Sequence, residues 1–218
     1  MFKLCYSFFQ FRIKANEKGA AKVGVTESTL VVHKYLHPNN EKIILWDLPG
    51  IGTPKYPNLE VYCKKVGGLE KYDAFLIFCK TRFTQDDREL AEKVSKELNK
   101  PFFFVRTNVD NDIENAKHDD GHNFSEESVL ERMREDCLEN LKGLIDDEKD
   151  VYTIDNKAVS KYDFQRLKEA IAMGLPAEKK ETFVNSLYKS THATIRIKAN
   201  LLKGKLPTKL YLPVSEHI

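Results

Sequence analysis

Apolar runs of strand length alternate along the chain with segments of helical periodicity. The candidate strands span residues 29–35, 42–46, 74–79, 101–107 and 151–154. The runs at 74–79 and 101–107 are almost continuously apolar, as strands buried on both faces of a parallel sheet are. The polar segment 37–40 joins the first two strands and predicts a hairpin at the edge of the sheet. The alternation therefore predicts an α/β fold, a doubly wound sheet with flanking helices.

Three segments between and after these strands carry the signals of helix starts and ends. Thr84 is a suitable N-cap for a helix over residues 85–98. Ser125 precedes a second segment of helical period, and a third helix over residues 163–173 ends at a Gly-Leu-Pro sequence. Residues 177–218 show no sustained period, and we predict for them a short helix followed by a basic tail.

The charge of the chain is divided unevenly. The formal net charge is +2, and residues 189–218 hold six Lys or Arg and one Glu, so that residues 1–188 sum to −3. A main domain without a basic excess argues against nucleic-acid binding. No run approaches the ~18 apolar residues that cross a bilayer, so any membrane contact is expected to be peripheral. The cysteines stand far apart, which is typical of reduced thiols in a cytosolic protein: Cys5, Cys63, Cys79 and Cys137.

Ligands of doubly wound sheets bind at the carboxyl ends of the strands, so the turns that follow the strands are candidate sites. Asp47 follows the strand 42–46, where a carboxylate can hold Mg²⁺ through water. Gly50 has no Cβ, so its N–H can approach a γ-phosphate. The structural alternative is an aspartate that caps a turn, since D-x-x-G is frequent by chance.

A second candidate turn, residues 107–110, follows the apolar strand 101–107. Asp110 can accept two parallel hydrogen bonds from the N1–H and amino group of guanine, which adenine does not supply in that arrangement. The segment is similar to the N/T-K-x-D motif of GTPases, with Asn108 where the lysine usually stands. An ordinary polar loop is the alternative, and Asp112 nearby is compatible with it.

The third candidate turn is Asp155-Asn156-Lys157, after the strand 151–154. GTPases place an S-A-K-like turn here, whose middle backbone N–H meets the guanine O6. Because a backbone amide reads the base, Asn156 is an acceptable residue at this place. Lys157 is expected to cover the base from the other side. The signal is weak alone, and its value lies in its order after the other two turns.

These turns and their flanks resemble the immunity-related (interferon-inducible) GTPases over residues 16–187. The matching segments are GAAKVGVTEST (19–29), WDLPGIGTPKYP (46–57), EKYDAFLIF (70–78), TRFTQDD (81–87), FFFVRT (102–107), VDNDIENA (109–116) and DNKAVSKYDF (155–164). The resemblance implies an incomplete P-loop GTPase-like sheet of the Ras-like and dynamin-superfamily type. It divides the chain into a non-matching start at 1–15, a partial G domain at 16–176, and a short helix with a basic tail at 177–218.

The resemblance also implies a role and a ligand set. Members of this family are cytosolic GTP-binding proteins of cell-autonomous defence that act at intracellular or pathogen-vacuole membranes and assemble with themselves or with related GTPases. Thr29 corresponds to the switch threonine whose hydroxyl binds Mg²⁺ in the GTP-bound state, and Thr26 is the alternative residue for this role. The expected GTP or GDP ligands are Thr29, Asp47, Gly50, Asp110, Asn156 and Lys157. The expected Mg²⁺ ligands are Thr29 and Asp47.

The sequence contains no G-x-x-x-x-G-K-[S/T], the loop whose backbone N–H groups, lysine and hydroxyl converge on phosphates. The nearest spacing, Gly19 to Gly24, is followed by Val25-Thr26 and has no apolar strand directly before it. By the resemblance, the first strand, the P-loop and most of the first helix are expected to lie before Met1. Residues 7–9 are then a remnant of that helix, and the chain is an N-terminally incomplete form of a longer GTPase.

Catalysis is expected to be weak for an independent reason. Many GTPases place a water-orienting glutamine directly after the D-x-x-G glycine, where this chain has Ile51. We therefore expect no measurable GTP turnover and at most weak nucleotide affinity. A catalytically dead pseudo-GTPase that binds partners is the alternative, and an unrelated doubly wound domain with phosphoacceptor or flavin chemistry is a third.

Overall fold

The computed structural model describes residues 2–6, 31–37, 40–80, 83–145, 147, 150–155, 158 and 160–186. A six-stranded sheet lies at its centre, with the strand order β2-β3-β1-β4-β5-β6. The strands are β1 (Phe2–Tyr6), β2 (His33–His37), β3 (Asn40–Asp47), β4 (Ala74–Cys79), β5 (Phe102–Arg106) and β6 (Val151–Thr153). The helices are α1 (Leu59–Val66), α2 (Gln85–Glu92), α3 (Val109–Asp120), α4 (Glu126–Asn140), α5 (Phe164–Gly174) and α6 (Ala177–Ser186).

The predicted edge hairpin is confirmed. Strand β2 pairs antiparallel with β3 at one end of the sheet, and the register shifts between Leu36 and His37. All other neighbouring strands pair in parallel. Strand β2 begins and ends later than predicted, at His33 and His37 instead of residues 29 and 35. Residues 31 and 32 precede it, and residues 29 and 30 lie outside the described part of the chain.

The N-terminal segment contradicts the sequence-based expectation. Phe2–Tyr6 forms a strand, where we expected the central strand to lie before Met1. It lies between β3 and β4 and pairs with both, for example Leu4 with Leu45 and with Ala74. The physical reason is that β3 and β4 each present a row of backbone donors and acceptors on the side where β1 lies, and an extended segment satisfies both rows. Residues 7–9, the expected helix remnant, lie outside the described residues.

The sheet is covered on both faces, which confirms the doubly wound α/β prediction. Alternate residues of the strands point to opposite faces and enter two separate cores. On one face Leu76 and Val105 pack with α5 and α6. On the other face Phe75 and Phe104, both at most 1% exposed, pack with α1, α2 and α4. The carboxyl ends of the parallel strands therefore meet at one edge of a rigid sheet.

The helix predicted over residues 85–98 is confirmed in place and start. Thr84 accepts a hydrogen bond from the Asp87 N–H at 3.2 Å, and the Asp87 carboxylate accepts from the Thr84 N–H at 3.0 Å, which forms a reciprocal capping box. The helical segment continues past Glu92 as a π-helical turn, Lys93–Glu97. Ser125 likewise caps α4, and α6 is the predicted short helix after residue 176.

Helix α3 was not predicted. Residues 107–110 were predicted to form a base-reading turn, with an ordinary polar loop as the alternative, whereas Val109–Asp120 is helical. Val109 and Ile113 are buried against Val129 of α4, and this small third core stabilises the helix. Most residues of α3 are polar or charged, and its two buried apolar positions are Val109 and Ile113. Two positions are too few to show a helical period in the sequence.

Candidate functional site

Three candidate turns lie at the carboxyl edge of the sheet, and two of them contain described residues of the predicted site. Asp47 ends β3, Asp110 follows β5 in the first turn of α3, and Asp155 follows β6. Gly50 lies three residues after Asp47. The structure thus places the described members of the predicted set at the same edge. The other predicted residues, Thr29, Asn156 and Lys157, lie outside the described residues.

Asp47 is held at the end of a central strand. It is 6% exposed, and its backbone is in register with Tyr6 on one side and His33 on the other. Burial raises the pKa of Tyr35, and the nearby charge of Asp47 raises it further. Asp47 is therefore a largely buried carboxylate at the end of the inner strand of the edge hairpin, between β1 and β2.

Residues 47–56, which we call the switch turn, continue from Asp47 into a compact loop. Leu48 and Tyr56 are each 4% exposed, and Ile51 is half-buried in the same apolar core. The Gly52 N–H donates to the Tyr56 carbonyl at 2.9 Å, and the Tyr56 N–H donates to the Thr53 carbonyl at 2.9 Å. The switch turn is therefore held by apolar packing and backbone hydrogen bonds.

The two glycines of the switch turn stand in different environments. Gly52 has φ +79°, and a Cβ there would overlap the carboxylate of Asp86. Gly50 has no such constraint, because among the described residues the nearest atom to a Cβ at this position is Thr53 Cγ2, at 3.9 Å. Backbone conformation and packing require glycine at position 52 and not at position 50.

The β5–α3 turn is fixed by hydrogen bonds and by an ion pair. The Thr107 N–H donates to the Cys79 carbonyl at 2.9 Å, and Asn108 has φ +63°, which redirects the chain into α3. Arg106, 7% exposed, pairs with Asp112 at 2.6 Å. The pKa of Asp112 is raised, mainly by burial. The nearby charge of Arg106 lowers this pKa and the charge of Asp110 raises it, and the net shift is upward. The first turn of α3, which carries Asp110, is thereby attached to the end of β5.

The β6–α5 segment brings a further group to the same place. Tyr162 has φ +53° and packs against the third core. Burial raises the pKa of Tyr162, and the charges of Glu126, Asp155 and Asp110 raise it further. Tyr162 thus lies within electrostatic range of both Asp110 and Asp155. Two turns that are 45 residues apart in sequence converge here.

Asp163 connects the end of β6 with α4 and α5. Its carboxylate accepts hydrogen bonds from the Thr153 N–H at 3.0 Å and the Thr153 hydroxyl at 2.7 Å. Arg134 of α4 donates to it at 3.0 Å and Arg166 of α5 at 2.9 Å. Burial alone would raise the pKa of Asp163, but hydrogen bonds from Arg166, Thr153 and Arg134 lower it to about 2. The carboxylate is therefore charged at neutral pH.

Sequence reasoning missed the residues that hold these two turns, here called the base-side turns and comprising residues 106–112 and 153–163. Arg106 and Asp163 lie within the matching segments FFFVRT (102–107) and DNKAVSKYDF (155–164), but no role was predicted for them. Arg134 lies outside those segments, and Asp163 was predicted only as the first residue of a helix. No group of His, Cys, Asp and Glu suited to hold a metal ion occurs within the described residues. In that same part of the chain no helix is long and apolar enough to span a membrane.

The sheet order, the parallel strands and the helices on both faces define a doubly wound α/β domain with the candidate turns at its carboxyl edge. The model of the interferon-inducible GTPase (IIGP) family matches residues 11–210. The chain therefore belongs to the interferon-inducible GTPase family, as the sequence resemblance indicated.

Curated relatives agree with this assignment. T-cell-specific guanine nucleotide triphosphate-binding protein 2 of Mus musculus is 36% identical over 87% of this chain and 45% of its own length. Interferon-inducible GTPase 1 of Mus musculus is 37% identical over 87% of this chain and 45% of its own length. The chain thus spans a little under half the length of these relatives. A solved structure of Era with MgGDPNP and part of 16S ribosomal RNA aligns at 22% identity and a TM-score of 0.43, over 72% of this chain and 47% of that chain.

Proposed function

We propose that this chain forms the guanine-nucleotide part of an interferon-inducible GTPase. Asp110 accepts hydrogen bonds from the N1–H and amino group of guanine, and Asn156 and Lys157 contact the base from the turn after β6. Asp47, together with Thr29, holds Mg²⁺, and Gly50 approaches the terminal phosphate. The observation that carries the proposal is that the turns with Asp110 and Asp155 lie side by side at the carboxyl edge of the sheet, where the Ile154 N–H donates to the Arg106 carbonyl and Tyr162 packs against the core that contains Val109.

The distance between the predicted base and phosphate ends fits an extended nucleotide. Strand β3 and strand β5 are three positions apart in the sheet, with β1 and β4 between them. Neighbouring strands are spaced by about 4.8 Å, so Asp47 and the start of α3 are separated by roughly 14 Å across the sheet. A nucleoside triphosphate lying along this edge reaches both places.

Gly50 supports the phosphate end of the proposal. Among the described residues, a Cβ at position 50 would come no closer than 3.9 Å to another atom, which is an ordinary van der Waals distance. Neither backbone strain nor packing therefore requires glycine here. We infer that glycine allows a ligand to approach the backbone N–H of residue 50 closely.

We propose further that the chain by itself does not hydrolyse GTP. Ile51 follows the switch glycine and packs half-buried against an apolar core, so it cannot orient the attacking water. The sequence also has no G-x-x-x-x-G-K-[S/T] to bind the phosphates. A catalytically dead module that binds partners, including homologous GTPases, through the same fold is therefore the second candidate.

Thermal unfolding with GTP, GDP and ATP tests the proposal. A guanine-nucleotide-binding chain is expected to unfold at a higher temperature with GTP or GDP than with ATP, since ligand binding to the native state alone stabilises it. The variant Asp110→Asn exchanges an acceptor for a donor, so the stabilisation is expected to move from guanine to xanthine nucleotides. Asp119→Asn on the same helix, 78% exposed at its side chain, is the matched control.

The outcomes separate the two candidates. A rise in unfolding temperature with GTP or GDP that Asp110→Asn abolishes supports nucleotide binding, whereas no rise with any nucleotide supports the partner-binding module.

For the family role we propose a cytosolic protein of cell-autonomous defence that contacts endomembranes or vacuole membranes peripherally. Fractionation of cells expressing the chain, with and without a high-salt wash of the membranes, tests this location.

A further inference from the structure

A cavity lies at the amino ends of strands β5 and β6, and its volume is about 510 Å³. Its apolar wall is formed by Pro101, Phe102, Phe103, Leu144, Ile145 and Tyr152. Parallel strands place their amino ends at one edge of a sheet and their carboxyl ends at the opposite edge. This site, here called the amino-edge cavity, is therefore separate from the candidate turns that contain Asp47 and Asp110.

Contacts within the chain fix the aromatic part of the cavity wall. The ring centroids of Phe103 and Tyr152 are 6.4 Å apart, and the two residues are 8% and 6% exposed. The guanidinium of Arg166 lies 4.5 Å from the centroid of the Tyr152 ring and donates to the Val151 carbonyl at 2.7 Å. Because the wall is already ordered, a side chain that enters the cavity does not have to reorganise it.

An exposed methionine stands beside the amino-edge cavity. The exposed large apolar residues in the described part of the chain are Val31, Leu36 and Met173. Met173 lies in the last turn of α5 and is 59% exposed. The next residue, Gly174, packs on the cavity wall, since a Cβ there would be 3.0 Å from Phe103 Cζ and 3.7 Å from Pro101 Cβ. A single exposed apolar residue is ordinary, but this one extends into solvent next to an apolar cavity.

Two opposite charges also line the cavity. Lys100 stands shortly before β5, and Asp150 stands directly before β6. Neither side chain forms an ion pair with another described residue. A surface that carries both signs of charge can pair with a second copy of itself, because a twofold axis places the positive group of one copy opposite the negative group of the other.

We propose that the amino-edge cavity is a self-association site, in which Met173 of each copy enters the cavity of the other copy. Lys100 of each copy then pairs with Asp150 of the other. The contact is isologous, since the same residues serve on both sides. Methionine is suited to this role because its unbranched side chain adapts to a mixed aromatic and aliphatic wall.

The proposed interface is small, with one anchoring side chain from each copy, so we expect a weak monomer–dimer equilibrium in the micromolar range. The inference goes beyond the proposed nucleotide binding and does not depend on it, because the cavity lies at the opposite edge of the sheet. A dimer without nucleotide binding, or nucleotide binding without a dimer, would therefore separate the two proposals.

Sedimentation equilibrium of the full 218-residue chain without nucleotide tests the association. The variant Met173→Lys is compared with Leu36→Lys, which places the same charge on an apolar residue that is 51% exposed at the other end of the sheet. We expect the dimer dissociation constant to rise at least about tenfold in Met173→Lys and to stay within about twofold of the wild type in Leu36→Lys. A wild-type chain that remains monomeric up to about 1 mM, or equal effects of the two variants, would overturn the proposal.

Charge reversal tests the arrangement of the two copies. Lys100→Glu and Asp150→Lys each place like charges opposite one another, and we expect each to raise the dissociation constant about fivefold. The double variant Lys100→Glu/Asp150→Lys restores opposite charges across the twofold axis, so its dissociation constant is expected to return to within about twofold of the wild type. A double variant that associates no better than the single variants would overturn this arrangement.

Discussion

The base-side turns and the switch turn lie at the same edge of one sheet, yet different forces hold them. The base-side turns are fixed by ion pairs that each have one buried partner: Arg106 is paired to Asp112, and Asp163 is bound by the partly buried Arg134 and Arg166. The switch turn is held by Leu48, Ile51 and Tyr56 in an apolar core and by the backbone hydrogen bonds between Gly52, Thr53 and Tyr56. The contrast is that ion pairs support the part proposed to recognise a base, whereas apolar packing and backbone hydrogen bonds support the part proposed to respond to a phosphate.

Removal of the Asp163 carboxylate is expected to have the largest effect on this contrast. Asp163→Ala leaves two partly buried arginines without their partner, and we expect the free energy of unfolding to fall by about 3 kcal/mol. Chemical denaturation measures this value. The control is Glu60→Ala, which removes an exposed pair with Lys64, both side chains being more than 70% exposed, and is expected to leave stability unchanged. Equal effects of the two substitutions would contradict the role of burial.

Acid is expected to act first on the base-side turns. Hydrogen bonds from Arg166, Thr153 and Arg134 overcome the effect of burial and lower the pKa of Asp163 from 3.8 to about 2. As the pH falls below 4, the unfolded chain takes up this proton before the folded chain does, so a contribution of about 2 kcal/mol to stability is lost by pH 2. Unfolding curves of the wild type and Asp163→Asn between pH 5 and pH 2 measure it. Parallel pH dependences of the two proteins would show that Asp163 is not the group responsible.

The switch turn is expected to respond to backbone strain. Gly52→Ala forces a residue with a Cβ into φ +79° beside the Asp86 carboxylate, and we expect a loss of roughly 1–2 kcal/mol. Gly143→Ala is the matched control, since Gly143 has φ +82° with nothing within 4 Å of a Cβ. Thermal unfolding of both variants separates the strain, which they share, from the contact with Asp86. A smaller loss in Gly52→Ala than in Gly143→Ala would contradict this account.

The smallest expected effect concerns the helix that supports the switch turn. Thr84→Ala removes the side chain that accepts from the Asp87 N–H, and the loss of an N-cap costs about 1 kcal/mol. Because α2 carries Asp86 next to Gly52, amide exchange in the switch turn is expected to rise together with exchange in α2. Thr84→Ser keeps the cap and serves as the control. Faster exchange in α2 without any change in residues 50–56 would show that the two segments are independent.

The sheet could be predicted from the sequence because its strands are locally evident. Ala74–Cys79 was placed at the observed bounds, since a run of apolar residues between polar segments leaves few alternatives. Strand β1 was not predicted, because five residues of mixed character carry little local signal and its position depends on the pairing that β3 and β4 offer. Helix α3 was missed for a similar reason, since its apolar stripe has meaning only against Val129 of α4.

By itself the sequence determined the fold class, the family and the order of the candidate turns, because these depend on local apolar pattern and on motifs with fixed spacing. Only the tertiary structure decided which residues hold the turns in place. No role could be assigned to Arg106, Arg134 and Asp163 from the sequence, and they hold the turns because folding buries Arg106 and Asp163 and brings them within hydrogen-bonding distance of Asp112 and Arg134. Burial and proximity are properties of the packed chain, and no local pattern encodes them.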